Sequence, residues 1–300
     1  MNARVKGSIC GIVAAVCYGT NPLGALPLYA EGINSATVLF YRFTLAALML
    51  GAVLLVKRQS FALTVKELAV TASLGVIFGF SALTLFLSFH LMDAGIASTI
   101  LFTYPVFVAL IMAVCFREKP SVVTVVSIGL ALAGVGLLYR GGDGATLHLG
   151  GMLLVLLSSF LYAGYIVLVN KASLALSAVK LTFFVLIFCS LTMVSWSLFD
   201  GSPIVLLPTA KTWFFGCFLA FVPTVLSLAL MAVAVKEIGS TPTAIMGALE
   251  PLTAVVIGVT VFGEAFTLRL ALGIVLILAS VVLIVAGKSL RIPLARRRKD

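Results

Sequence analysis

Two charged side chains lie deep inside apolar segments, where their chemistry needs an explanation. Glu250 precedes Pro251 in the middle of TPTAIMGALEPLTAVVIGVTVFGE, residues 241–264, and Arg42 lies in FYRFTLAALML. An ionised group at the centre of a bilayer costs at least ~3 kcal/mol, so both side chains are expected to face a packed interior or a wet cavity. A carboxyl group there is either protonated or paired with a cation. A cycle that alternates between these two states would couple proton movement to transport.

Both residues also have a structural interpretation. A neutral Glu250 could donate to the backbone carbonyl that Pro251 leaves without a partner. Arg42 could extend its long side chain to the membrane surface and serve as an anchor. The sequence alone leaves these interpretations open beside the functional ones.

Polar residues next to expected helix breaks could line a substrate site. In the first apolar segment Pro22 removes one helix bond, and Tyr18 and Asn21 offer hydrogen-bonding groups to a polar ligand. A kink satisfied by neighbouring helices is the structural alternative. Three hydroxyl residues recur at helical spacing in the third segment: Ser81, Thr84 and Ser88. They could line the site, but such residues commonly bond the backbone of their own helix.

Other ionisable residues are interpreted as structural. Glu118 and Glu264 each lie in a short turn before an apolar segment, where a carboxylate stabilises the N-terminus of the helix that follows. His90, near Asp93, is expected to be a polar residue at the membrane interface. The 5 cysteines lie in apolar runs without metal or redox spacing, so neither a metal nor a cofactor is expected.

The elements that must position these residues follow from composition. Hydrophobic residues make up 62% of the 300 and charged residues 10%, with a mean hydropathy of +1.24, which excludes a soluble domain and predicts an all-α polytopic membrane protein. Allowing about 20 apolar residues per crossing, the sequence predicts ten transmembrane helices, at 7–29, 34–56, 68–90, 95–116, 121–139, 149–170, 179–199, 212–235, 241–262 and 267–287.

The distribution of Lys and Arg predicts the orientation. Most of the 20 basic residues fall in segments that share one side with the N-terminus, so both termini are expected in the cytoplasm of a multi-pass protein of the cell (inner) membrane. The apolar run after Arg4 and Lys6 is long enough for a full span, which favours a span over a cleaved signal peptide. The basic tail, residues 291–300, is expected to rest against anionic lipid, and no nucleic-acid partner is expected.

An internal repeat divides the spans into two fives. Residues 95–118 align with 241–264 at a constant offset of 146, which pairs Pro105 with Pro251 and Tyr104 with Glu250. The first and sixth spans align at an offset of 144, and the sixth contains Tyr162 and Tyr165. We therefore expect one repeat at 1–144 and a second at 145–290. Because five is odd, the second repeat is inverted relative to the first, as in alternating-access transporters.

The order and double occurrence of these motifs resemble a known family. Each unit ends in a proline, a glutamate and then a glycine-rich span: TYPVFVALIMAVCFRE before VSIGLALAGVGLL, and LEPLTAVVIGVTVFGE before LALGIVLILASVVLI. This arrangement is similar to the paired EamA units of the drug/metabolite transporter superfamily, over residues 7–287. The resemblance implies a ten-helix secondary transporter that exports small metabolites, often amino acids or related compounds.

The sequence thus predicts an exporter of small polar metabolites, driven by proton exchange or facilitated. An exporter of lipophilic cationic drugs and, less favoured, an intramembrane enzyme are the alternatives; the absence of HExxH, GxSxG and Walker motifs argues against catalysis. The partners expected are a small-molecule substrate and the lipid bilayer, and the sequence leaves a homodimer open. The predicted substrate-binding residues are Tyr18, Asn21, Tyr104, Tyr165 and Glu250, and the candidates for proton coupling are Glu250 and Arg42.

Overall fold

The computed structural model describes residues 3–117, 121–139, 148–172 and 174–296. Their regular structure is helical, and nine spans in this described part are long and apolar enough to cross a membrane, with Val122–Leu138 as a shorter apolar helix. The predicted all-α polytopic architecture is confirmed. The helices are α1 (Ala3–Gly19), α2 (Asn21–Ala30), α3 (Ser35–Val56), α4 (Val65–Ser88), α5 (Ala94–Leu101), α6 (Tyr104–Cys115), α7 (Val122–Tyr139), α8 (Leu149–Ala172), α9 (Ala178–Asp200), α10 (Ala210–Ala220), α11 (Ser227–Ile238), α12 (Ser240–Met246), α13 (Leu249–Phe262) and α14 (Leu268–Arg296).

Four spans are interrupted near a proline. Pro22 and Pro105 stand in the first turn of α2 and α6, where a helix does not use the missing N–H. Pro251 stands in the first turn of α13, which follows α12 after a short break. Between α10 and α11, Pro223 lies in a π-helical segment, Phe221–Leu226. The helix break expected at Pro22 is therefore present, and Pro105, Pro223 and Pro251 mark three more.

In the first repeat, side chains satisfy the carbonyls that the prolines free. Pro22 cannot donate to the carbonyl of Tyr18, which accepts instead from the Nδ2 of Asn21 at 2.7 Å. At the break before α6, the freed carbonyl of Leu101 accepts from the Oγ of Ser159 at 3.0 Å, a residue of the second repeat. A bilayer offers no water for these groups, so the breaks depend on the polar neighbours.

The second repeat satisfies its freed carbonyls in two other ways. Below Pro223, the carbonyl of Leu219 accepts from the Oγ1 of Thr224 at 2.9 Å. Before α13, the carbonyl of Gly247 accepts from the backbone N–H of Glu250 at 2.9 Å. The structural interpretation, in which the Glu250 carboxyl group donates to this carbonyl, is therefore wrong. The backbone N–H of Glu250 is the donor.

Helices of the two repeats pack against each other in matching pairs. α1 packs against α11 of the second repeat, and α8, the counterpart of α1, packs against α4 of the first. α3 contacts α9, α5 contacts α13, and α7 contacts α14. Exchanging the repeats converts the α1–α11 contact into the α8–α4 contact and converts the α3–α9 and α7–α14 contacts into themselves, as a pseudo-two-fold axis requires.

Two polar contacts connect segments at one end of the molecule, which we name the Lys6 end. Lys6 forms an ion pair with Glu237, with Nζ and Oε1 3.3 Å apart. The hydroxyl of Ser177 donates to the side chain of Gln59 at 2.9 Å. α1 begins here, and the turns after α3 and α8 lie at the same end.

The opposite end, named here the Glu31 end, is also held by polar contacts. Glu31 pairs with Lys211 at 2.6 Å, and the Nδ2 of Asn34 donates to the carbonyl of Pro203 at 2.9 Å. α8 begins at this end, beside the turn that joins α4 to α5. Since α1 begins at one end and α8 at the other, the second five-helix unit is inverted relative to the first.

Large apolar side chains cover the outer faces of the helices. Val114, Leu132 and Phe214 are 76%, 68% and 63% exposed. A water-soluble protein rarely exposes so much contiguous apolar surface, whereas lipid chains cover it in a membrane. The basic tail predicted at 291–300 begins inside α14, which continues to Arg296.

A carboxylate at the Glu31 end caps a helix of the other repeat. The two oxygens of Glu264 accept from the backbone N–H groups of Ala94 and Gly95, at 2.8 and 3.1 Å, at the start of α5. The expectation that Glu264 caps the helix after it is wrong, because the Oγ1 of Thr267 caps α14 at 3.1 Å. Glu118, which was also expected to cap the helix that follows it, lies outside the described residues.

We predict that Glu264→Ala lowers the free energy of unfolding by ~1–3 kcal/mol, because two N–H groups at the start of α5 lose a charged acceptor. Glu264→Gln keeps one acceptor oxygen and is expected to cost less. The matched control is Glu237→Ala, which removes an exposed ion pair and should cost at most ~1 kcal/mol. Denaturant unfolding of the purified protein measures these differences, and equal effects of Glu264→Ala and the control would contradict the assignment.

The same group predicts a pH dependence. Burial raises the pKa of Glu264, and the neighbouring Asp93 raises it further, against the lowering by the two N–H donors. Between the ordinary and the raised pKa, the folded protein keeps a proton that the unfolded chain has released. The free energy of unfolding should therefore fall as the pH rises through this window. Glu264→Gln should flatten that slope, and an unchanged slope would contradict the prediction.

Candidate functional site

A small cavity near the middle of the bundle collects polar side chains from both repeats. Its volume is about 20 Å³, which is enough for about one water molecule. Apolar side chains form the remaining wall: Phe78, Ala82, Leu85 and Phe86 of α4, and Leu101 of α5. The polar side chains that line it are Tyr18, Arg42, Ser81, Tyr104, Ser158, Tyr162 and Glu250.

The repeat explains why these residues meet. Tyr18 and Tyr162 occupy equivalent positions in α1 and α8, and Tyr104 and Glu250 are equivalent residues at the starts of α6 and α13. Each pair is brought to the same depth by the pseudo-two-fold arrangement of the helices. Three of the predicted substrate-binding residues, Tyr18, Tyr104 and Glu250, thus line one cavity.

Arg42 is buried in α3 and held by several neighbours. The side chain is 3% exposed, and its Nε donates to the Oγ1 of Thr224 at 3.0 Å. The guanidinium lies 5.5 Å from the ring centre of Phe86 and 5.7 Å from that of Phe43, within reach of cation–π attraction. Tyr18 lines the same cavity as Arg42. Arg42 is therefore a buried cavity residue and does not extend to the membrane surface as an anchor.

Thr224 connects this arginine to a helix irregularity in the other repeat. Its hydroxyl accepts from Arg42 and donates to the carbonyl of Leu219, which Pro223 has left free. The residue stands in the π-helical segment, a type of irregularity that is frequent at functional sites. The π segment thus presents a hydroxyl to the cavity arginine, and no sequence pattern suggested this contact.

Arg42 and Glu250, a basic and an acidic residue, line one cavity without forming an ion pair with each other. Neither residue takes part in the ion pairs closer than 4.0 Å that join Lys6 to Glu237 and Lys211 to Glu31. The carboxyl group of Glu250 makes no hydrogen bond to another described side chain, although the cavity wall includes both it and Arg42. The two side chains therefore line the same cavity without being paired with each other in this conformation.

The tyrosines form a cluster on one side of the cavity. The ring centres of Tyr104 and Tyr162 are 4.8 Å apart in an edge-to-face contact. Tyr165 stacks behind Tyr162 at 6.0 Å and packs against Phe78 at 5.1 Å. Tyr165 is not among the residues that line the cavity, and Tyr162 takes that place. Because Tyr162 is equivalent to Tyr18 in the repeat, the sequence alignment could have identified Tyr162 as the residue that lines the cavity.

Asn21 lies beside the site and does not line it. Its amide nitrogen is used by the Tyr18 carbonyl, and its Oδ1 is buried without a partner in the described protein. Ser81 does line the cavity, but its hydroxyl donates to the carbonyl of Ser158, whose hydroxyl donates back to the carbonyl of Ser81. Thr84 bonds the backbone of its own helix. The two hydrogen bonds between Ser81 and Ser158 join α4 to α8.

We predict that Thr224→Val destabilises the protein by ~1–3 kcal/mol, because the buried Arg42 and the Leu219 carbonyl both lose a partner. Thr224→Ser keeps the hydroxyl and should cost clearly less. Thr260→Val is the matched control, since Thr260 is exposed on α13 and bonds only its own helix at 2.6 Å. Thermal unfolding in detergent compares the three. If Thr224→Val and Thr224→Ser are equally stable, the hydroxyl does not hold the arginine.

Comparison with known proteins gives consistent results. The model of the EamA-like transporter family matches residues 5–140 and again 149–286. An uncharacterized transporter of Bacillus subtilis is 25% identical over 278 residues, covering 89% of this chain and 88% of its own. One from Synechocystis is 30% identical over 207 residues, covering 67% of this chain and 61% of its own. A crystal structure with 18% identity has a TM-score of 0.66 and is covered over 100% of its length, which supports the fold alone.

Proposed function

Because the chain belongs to the EamA-like transporter family, we propose that it exports small zwitterionic metabolites, such as amino acids, from the cytoplasm in exchange for protons. The resemblance inferred from the sequence is confirmed, and transport itself follows from the family. One observation carries the finer proposal: Arg42 and Glu250 face one cavity and are not paired with each other.

An α-amino acid carries two charged groups, one of which could pair with Arg42 and the other with Glu250. Its carboxylate would pair with Arg42, whose planar donors suit a carboxylate, and its ammonium group would pair with Glu250. Leaving two buried charges without partners is costly, so a ligand that neutralises both is favoured over one that neutralises neither. Phe78, Leu85 and Phe86 offer an apolar surface to its side chain.

Proton exchange follows from the same pair of charges. When the substrate is present, an ionised Glu250 is compensated by the ammonium group. When the substrate leaves, a proton on Glu250 removes the uncompensated charge, so proton and substrate compete for one carboxyl group. Competition of this kind makes the movement of one depend on the opposite movement of the other.

The small cavity volume supports an alternating-access cycle. Space for about one water excludes an amino acid in this conformation, so binding requires the repeats to move apart at one end. The Lys6 end, which carries most of the basic turns, is assigned to the cytoplasm by the positive-inside rule. Substrate would therefore enter from the Lys6 end and leave at the Glu31 end.

The alternatives have less support. A lipophilic cation would suit Glu250 and the aromatic wall, but Arg42 in the same wall would repel it. An enzyme would need an activated nucleophile, and the two cavity serines donate to each other's backbone carbonyls and not to a base. Neither alternative explains why opposite charges share the cavity unpaired.

We predict that Glu250→Gln loses at least tenfold in accumulation driven by a pH gradient and retains exchange of substrate for substrate. Inside-out vesicles with an acidic interior measure the accumulation, using the labelled amino acid that most stabilises the purified protein in a thermal screen. The parent should fill these vesicles, because uptake into them corresponds to export from the cell.

Glu237→Gln is the control, since Glu237 lies at the Lys6 end, away from the cavity. Two results would contradict the proposal. Gradient-driven accumulation by Glu250→Gln equal to that of the parent would remove the role of Glu250 in coupling. A screen in which organic cations stabilise the protein and amino acids do not would favour the cation exporter.

A further inference from the structure

A second and larger cavity opens at the Glu31 end, and we name it the vestibule. Its volume is about 260 Å³, close to the lower limit of ~300 Å³ for small-molecule sites. Leu87 lines the vestibule, and the preceding residue, Phe86, lines the central cavity. The polar and aromatic side chains that line the vestibule are Tyr29, Asn34, Ser35, His90, Trp196, Asp200 and Ser202.

A chain of hydrogen bonds fixes the donors in this wall. The Tyr29 hydroxyl donates to the carbonyl of Phe86, and the Ser35 hydroxyl donates to Tyr29, each at 3.1 Å. Ser35 has then used its only hydrogen, so its 3.1 Å contact with the Nε2 of His90 requires His90 to donate. The other ring nitrogen, Nδ1, keeps its lone pair and is an acceptor in the neutral ring.

The electrostatics of the vestibule favour a cation. Asp200 contributes a carboxylate, and no Lys or Arg is among the lining residues. Burial lowers the pKa of His90, which keeps its ring neutral at pH 7. Lys211, in the first turn of α10 at the same end of the molecule, is paired with Glu31 at 2.6 Å.

Helix ends and aromatic rings add to this preference. α2, α4 and α9 end at Ala30, Ser88 and Asp200, so three negative dipole ends lie near the vestibule, against one positive end at the start of α3. Tyr29 packs on His90 with ring centres 4.1 Å apart, and Trp196 completes an aromatic wall. Aromatic faces attract ammonium groups.

We propose that the vestibule is a binding site for a small organic amine, bound as its ammonium ion with Asp200 as counter-charge and its apolar group against Trp196 and Tyr29. This site is separate from the central cavity and does not rest on the function proposed above. An interfacial belt would explain the aromatic residues. It does not explain why a carboxylate and an ordered Tyr–Ser–His chain line the same space.

The two tryptophans of the chain allow a direct test. Trp213→Phe removes the tryptophan outside the vestibule, which packs edge-to-face on Tyr41 at 5.3 Å, and leaves Trp196 as the only reporter. Phenethylamine is titrated into this variant in detergent while the Trp196 fluorescence is followed. The neutral isostere 2-phenylethanol controls for partitioning into apolar surfaces.

The proposal expects saturable binding of phenethylamine at least tenfold tighter than that of 2-phenylethanol. Asp200→Asn in the same background should reduce this preference to less than about twofold. Glu250→Gln should leave the titration unchanged, since Glu250 lies in the central cavity. Equal affinities for the amine and the alcohol, or a preference that Asp200→Asn preserves, would overturn the proposal. Loss of the signal in Glu250→Gln with its retention in Asp200→Asn would place the amine in the central cavity and also overturn it.

Discussion

A backbone carbonyl inside a bilayer has no water to accept from, and this constraint organises the breaks on which the structure depends. Prolines end helices in the middle of four spans, and each freed carbonyl must find a donor nearby. The donors are Asn21, Ser159, Thr224 and a backbone N–H beside Pro251. Because each freed carbonyl has a donor, the chain can break its helices at the midplane and direct Tyr104 and Glu250, in the first turns of α6 and α13, towards one cavity.

The central cavity combines near-symmetry of shape with asymmetry of charge. The tyrosine pair in α1 and α8 follows the repeat, whereas Glu250 has an uncharged equivalent in Tyr104. Arg42 approaches from α3 and is held by Thr224 of the opposite repeat. Movement of the repeats relative to each other would therefore change the separation of the two charges. A site that senses both substrate and conformation needs such a dependence.

Hydropathy and proline positions predicted much of the fold. The spans, the breaks at Pro22, Pro105 and Pro251, and the inversion of the second unit follow from local patterns and from the odd number of helices per repeat. The meeting of Tyr18, Tyr104 and Glu250 follows from the repeat as well. These features depend on neighbours in sequence or on equivalent positions.

The contacts that were missed join residues far apart in the chain. Glu264 caps α5 across 170 residues, and Thr224 reaches Arg42 across 182. No local pattern distinguishes a carboxylate that caps its own helix from one that caps a neighbour. The choice of Tyr165 in place of Tyr162 was a different kind of miss, because the equivalence of Tyr162 with Tyr18 in the repeat would have indicated the residue that lines the cavity.

The central claim is that Arg42 and Glu250 hold opposite ends of one zwitterion. Its most direct test measures the affinity of the amino acid selected by the stability screen, together with the analogues that lack its amino or its carboxyl group. The account predicts that the parent prefers the amino acid over both analogues by at least tenfold, which is about 1.4 kcal/mol. Glu250→Gln should lose only the preference over the analogue without the amino group, and Arg42→Gln only the preference over the analogue without the carboxyl group. If each variant weakens all three ligands by the same factor, the two residues do not recognise the two charges, and the account is wrong.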